Sequence, residues 1–238
     1  IQNISTTLFN RLNDSDTAYL SADETGEPLH LARALVDADV VLSIGSFGYD
    51  ASLRGRSPEG ELWPSFARQN HCQKFIKALL KKRQLALHHW RDESEQITAQ
   101  LGILASLRLV CGNHQTLAGA AFGFPAASIT QSRLQAKEWR PTIPTRSPLA
   151  IAGIPDRPCR FVELTRAIAA AARVTTHDGT ICIACNMKEE PGIIFTRWRH
   201  GIDLQMLLRE ASDSEETALL LDALHTSLFA QALGDRRL

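Results

Sequence analysis

The sequence predicts an α/β fold: two α/β sub-domains with largely parallel sheets and a cleft between them. Three observations lead there. Apolar runs of strand length alternate with longer segments of helical period along the 238 residues. In the second half a strand, a helix and a second strand follow one another at the spacing of a βαβ unit. Between the halves, "RPTIPTRSP" packs three of the ten prolines into nine residues, a strong break in regular structure. The expected organisation is an N-terminal domain over 1–110, a crossover or linker over 111–148, and a C-terminal α/β domain over 149–238.

Element by element, residues 1–19 are polar and irregular, with a short strand or helix toward their end. "LHLARALVDADVVLSIG" reads as a short helix or extended lead-in followed by a strand from Val40 to Ile44. Ser46 to Ser65 is a long loop rich in Gly, Arg, Ser and Pro. Residues 69–90 predict a helix, with Phe75, Ile76, Leu79 and Leu80 at helical spacing and lysines on the other face. "ILASLRLVCG" reads as a strand stopped by Gly112, and a small-residue segment then leads into a helix ending near Trp139. "PLAIAG", "RFVELTRAIAAAARV" and "GTICIAC" form the expected βαβ unit. "PGIIFTRWRH" begins at a proline suited to a first helical turn. The last helix lies in "DSEETALLLDALHTSLFAQALG", capped by Asp213 or Ser214, with acidic residues in its first turn and Gly234 at its stop.

Composition narrows the function classes. Twenty-six basic and 26 acidic side chains cancel, so no global field favours nucleic acid or a membrane surface. No run approaches the roughly 18–20 apolar residues of a membrane span. The chain opens on Ile1 with neither a basic n-region nor an apolar h-region, which points to a fragment or processed product of a cytoplasmic protein. Five scattered cysteines read as reduced thiols rather than a disulfide framework. Cys182 and Cys185 form a CxxC on a predicted strand, where positions i and i+3 face opposite ways, so core strand is the expected role.

The candidate chemistry begins where the Val40–Ile44 strand breaks into "GSFGYD". The full dinucleotide fingerprint is absent, so a Rossmann-type oxidoreductase ranks last among the readings. Ligands in open α/β sheets nonetheless bind beyond the carboxyl ends of strands, which brings Tyr49, Asp50, Arg54 and Arg56 forward as cleft-lining candidates. The plain alternative is a capped turn with two solvated arginines. No metalloprotease or nucleophile-elbow motif appears among the eight histidines. Glu163 and Arg166, three apart on one predicted helix, meet on a single face as an ion pair or as ligand-binding groups.

Several of these segments resemble the nickel-pincer lactate racemase family. "HLARALVDADVVLSIGSFGYDA" is similar to the stretch in which an alanine–aspartate pair precedes an apolar strand and an active-site loop. "ELWPSFA" resembles the step closing that loop, and the segment from "LAIAGIPDRPCRFVELTR" to "CNMKEEPG" resembles the start of the C-terminal domain. The resemblance implies racemisation or epimerisation of a 2-hydroxy acid, with a nickel-pincer nucleotide accepting hydride while two histidines exchange the hydroxyl proton.

Carried over residue by residue, the resemblance places Asp50 at a catalytic histidine's position, and the family's other catalytic histidine falls in a segment before Ile1. Arg54 or Arg56 stands in a region where the family has a lysine. His71, in "NHCQKF", takes the place of the nickel-ligating histidine. Glu163 and Arg166 take the places of a glutamine and a lysine facing the cofactor. These departures leave two leading readings. One is a divergent isomerase acting on a small-molecule acid; the other is a non-catalytic module of the same fold that binds a small acid or a nucleotide.

Overall fold

The computed structural model describes residues 5–23, 25–47, 62–112, 116–138, 142–154, 159–188 and 190–238. They fall into two compact units. One draws on the described residues of 1–47, 58–75 and 84–138, the other on those of 76–83 and 139–238.

In the first unit, β1 (Thr17–Ala22) and β2 (Pro28–Ala32) form an antiparallel hairpin. Its turn is held by Asp23, whose carboxylate accepts from the Thr25 and Glu27 amides at 2.9 and 2.8 Å. Gly26 supplies the left-handed residue there, at φ +84°. The single turn α1 (Arg33–Val36) leads into β3 (Val41–Phe47). The helix α2 (Gln69–Gln100) then intervenes before β4 (Ile103–Cys111), β5 (Leu117–Gly123) and α3 (Pro125–Glu138). The sheet order is β3-β4-β5, parallel for the first pair and antiparallel for the second.

The small residues of β5 have a structural use. A side chain at Gly119 would run into Gln135 of α3, whose amide donates to the Ala120 carbonyl at 3.2 Å. Behind this contact Ile129 packs against Phe47 and Val110. On the opposite face of the sheet Leu42, Ile44 and Phe122 are exposed.

The second unit contains the expected βαβ: β6 (Ser147–Gly153), α4 (Phe161–Ala171) and β7 (Thr175–Ala184), with β6 and β7 parallel. Past it run α5 (Ile193–Arg199), α6 (Leu204–Ser212) and α7 (Thr217–Leu233). Phe161, Ile168 and Ile181 meet Phe229 and Leu233 of α7 in one core, where Phe161, Phe195 and Phe229 contact ring to ring. Ile194, Leu207, Ala211 and Ala223 form a second core. The C-terminal residues join the edge of β7: the Ile181 amide donates to the Arg237 carbonyl at 2.8 Å and the Arg237 amide to the Gly179 carbonyl at 3.0 Å.

Several sequence expectations change in detail. Residues 111–148, read as a crossover, contain β5 and α3, which belong to the first unit. The helix expected over 69–90 continues to Gln100 and breaks at Lys82 (φ −144°, ψ 70°), with residues 76–83 assigned to the second unit. The final helix starts at Thr217, because Asp213 instead terminates α6. The Ser214 hydroxyl accepts from the Glu216 amide at 3.0 Å, just ahead of α7. α6 went unread although Asp203 caps it by accepting from the Met206 amide at 2.9 Å.

Candidate functional site

The site in the first unit is built on the first turn of α2. The His71 amide donates to the Arg68 carbonyl at 3.1 Å, which fixes the imidazole at the helix start. The ring is 5% exposed and lies 5.1 Å, centroid to centroid, from the Trp63 indole. Trp63 is itself pinned twice: its indole N–H donates to Glu93 Oε2 at 3.1 Å, and its carbonyl accepts from the Trp90 indole at 2.9 Å. Among the described residues, His71 Nε2 has no hydrogen-bond partner.

Burial pushes the His71 imidazole below its ordinary pKa, opposed by the Glu27 charge and reinforced by Lys74 and His30. The ring is therefore neutral at physiological pH. Beside it, Lys74 is ion-paired with Glu27. Cys72 is a poor nucleophile here: burial pushes its thiol up, and Sγ donates to the Pro64 carbonyl at 3.0 Å while Arg11 donates to it at 3.0 Å.

Tyr49, Asp50, Arg54 and Arg56 lie outside the described residues. What is described is the strand leading toward them. β3 runs parallel to β4 and ends at Phe47, so the chain leaves the sheet at its carboxyl edge, where α/β proteins gather ligands.

In the second unit Glu163 and Arg166 do not form the ion pair their spacing suggested. Glu163 turns back to Arg160: its carboxylate accepts from the Arg160 amide at 3.1 Å and from the guanidinium at 2.8 Å. It thereby satisfies an orphan donor at the start of α4. The Arg160 guanidinium, ahead of the Arg160 amide, holds the Glu163 carboxyl below its usual range, and partial burial only offsets this. Arg166, one turn into α4, is exposed.

Sequence reasoning passed over Trp63 and Arg160. Arg160 carried a signal, since a glutamate at the third helical position reaching back to the cap is a recognised start pattern. Trp63 entered only as part of the "ELWPSFA" step, because an aromatic in a loop is placed only by what folds over it.

Among the described residues, no group of three or more His, Cys, Asp or Glu side chains is arranged to hold a metal ion. No helix among them is long and apolar enough to cross a membrane.

No protein-family model matches the chain, and no curated protein matches it. Among solved structures the chain is similar to the lactate racemase apoprotein from Thermoanaerobacterium thermosaccharolyticum, with a TM-score of 0.68 at 16% sequence identity over 96% of this chain. It spans 58% of that protein's length. At this identity the likeness is one of fold, and fold alone does not carry activity. The chain has a lactate-racemase-like α/β fold.

Proposed function

We propose that this chain is a divergent lactate-racemase-like protein acting on a small 2-hydroxy acid, an isomerase of the racemase or epimerase type. The observation that supports the reading is the fold likeness extending over 96% of the chain. A nickel-pincer nucleotide is the cofactor the resemblance implies. In this reading the protein contributes one imidazole to the metal. His71 fits that request, being neutral and buried, with Nε2 unpaired among the described residues. When bound, such a group would supply the hydride acceptor.

The chain's own residues would bind and orient. Arg54, Arg56 and Arg166 are the proposed carboxylate holders, arginine suiting a carboxylate by its planar fork of donors. Tyr49 is proposed to line the same site. Glu163 would not repel an acid strongly, because Arg160 already neutralises it at 2.8 Å. Asp50 is the proposed proton-handling group. A carboxyl with a reference pKa of about 3.9 serves in that role near neutrality only if its surroundings raise it.

The test is intact-mass and metal analysis of the protein expressed together with the enzymes that assemble the cofactor. A cofactor adduct with stoichiometric nickel, lost on His71→Ala, is the expected result. A clean apo mass without nickel, under conditions that load a lactate racemase control, would remove the cofactor-dependent reading. The Asp50 substitution favours a second reading, a small-acid- or nucleotide-binding module without turnover. Calorimetric titration with 2-hydroxy acids and nucleotides, alongside a racemisation assay, separates the two.

A further inference from the structure

The surroundings of His71 are assembled by a helix that doubles back on itself. Phe75, in the first leg of α2, and Trp90, fifteen residues on, have ring centroids 5.7 Å apart. An unbroken α-helix would separate those positions by about 22 Å. The break at Lys82 removes that separation, so the second leg of α2 returns beside the first turn. Trp90 and Glu93, three apart on the second leg, share one helix face, and both reach Trp63. The Trp90 indole donates to the Trp63 carbonyl at 2.9 Å, which ties the backbone. The Trp63 indole donates to Glu93 Oε2 at 3.1 Å, which ties the ring. The ring so held meets the His71 imidazole at 5.1 Å between centroids and 50° between planes. Trp63, His71 and Trp90 are all buried.

We propose that Trp63 is the positioning residue for His71: bracketed by Trp90 and Glu93, it sets the plane of the imidazole and keeps Nε2 open to a metal. The inference rests on the reading of His71 as the metal-binding imidazole and deepens it. Metal-binding imidazoles are turned into place by the groups around them as much as by their own backbone. In this chain an indole takes that part. It touches neither metal nor substrate and acts only through His71. A buried imidazole packed against a ring that is itself fixed at two points has few orientations open to it. The contact also shields the imidazole from water without engaging Nε2, which has no hydrogen bond among the described residues. Glu93 in turn acts through Trp63, since its carboxylate accepts the indole N–H.

Three variants of the full chain test it. Trp63→Phe keeps an aromatic face, Trp63→Leu fills the space without one, and Glu93→Leu leaves Trp63 but removes the acceptor that holds its ring. The first readout needs no cofactor: acylation of His71 by diethyl pyrocarbonate at mildly alkaline pH, followed by peptide mass spectrometry with the other histidines as internal reference. His71 should react several-fold faster in Trp63→Leu and Glu93→Leu than in wild type, and near the wild-type rate in Trp63→Phe, while the other histidines keep their rates. The second readout is nickel per chain after expression with the cofactor-assembling enzymes. It should fall in Trp63→Leu and recover in Trp63→Phe. A wild-type His71 rate in Glu93→Leu, or full nickel in Trp63→Leu, would overturn the positioning role. If every histidine in Trp63→Leu reacts faster, that variant has unfolded and Glu93→Leu decides alone. A wild type that takes no nickel while the acylation pattern holds would remove the cofactor reading and still support the bracket around His71.

Discussion

His71 and Glu163 show how one side chain's surroundings set its charge, with opposite physical causes. For His71 the cause is loss of water. Its folded pKa lies below the ordinary value of about 6.5, so between the two the unfolded chain binds a proton that the folded chain does not. Its contribution is complete above that ordinary value and is lost as pH falls toward the folded one. Chemical-denaturation midpoints measured across this window should decline with falling pH in the wild type, and His71→Phe should flatten the decline. An identical slope in both proteins would place the titrating group elsewhere. For Glu163 the cause is a partner. Its folded pKa is depressed, so the stability it adds is present above its ordinary range and disappears as pH falls through the folded value. Glu163→Ala removes the contact with the Arg160 amide and should cost roughly 1 kcal/mol, the range of a lost helix cap. Glu163→Gln keeps an acceptor and should cost less. Urea unfolding of the two variants at neutral pH checks the order.

At the level of elements, two packing details hold strands and helices in register. Ser43 of β3 and Ser106 of β4 are opposite each other in the parallel ladder, both buried, with hydroxyl oxygens 2.6 Å apart. Removing one leaves a buried hydroxyl without this partner. Ser106→Ala should therefore cost about 1–3 kcal/mol, whereas the Ser43→Ala/Ser106→Ala double variant should lie close to wild type. A double-mutant cycle by denaturation decides this, and simple additivity would contradict it. At α5 the cap comes from another helix: Asp222 of α7 accepts from the Ile194 amide at 2.7 Å and from Thr226 at 3.3 Å. A Cβ at Gly192 would overlap that carboxylate. Gly192→Ala should destabilise the second unit by about 1–3 kcal/mol, as overpacking does, even though Gly192 has ordinary dihedrals, φ −64° and ψ 170°.

For the whole molecule, the balance of 26 basic and 26 acidic groups means that self-repulsion is weakest near neutrality. Solubility measured against pH should pass through a minimum near neutral pH, because vanishing net charge promotes association. A minimum displaced to strongly acid or alkaline pH would contradict that balance. In the proposed reading, the same neutrality leaves recognition of an acid to local groups. Short-range arginines, rather than a global field, would have to supply selectivity, and affinity for a small acid should depend only modestly on distant charges.

The amino-acid pattern determined by itself what depends on neighbours close in the chain. The βαβ unit of β6, α4 and β7 was readable, because strand-length apolar runs and a helical stripe specify elements without reference to the rest of the fold. β3, the start of α2 and the body of α7 were readable for the same reason. Contacts between residues distant in sequence were decided only in the folded chain. β5 looked like a linker because its glycines and alanines carry no strand signal, and their purpose, letting α3 approach, appears only once α3 is seated. His71 could be singled out as a ligand candidate from its segment. Its neutrality, however, comes from burial beside Trp63, eight residues back, and from charges on the β1–β2 hairpin. Spacing allowed Glu163 an ion pair with Arg166 or a ligand-binding role, but the helix start offered it two donors on Arg160. Cys182 and Cys185 were expected in a core strand, yet both are exposed, because which positions of β7 are covered depends on the helices that pack against it. Local periodicity is a property of the chain, whereas the partners that set pKa and capping are chosen when distant segments are buried together.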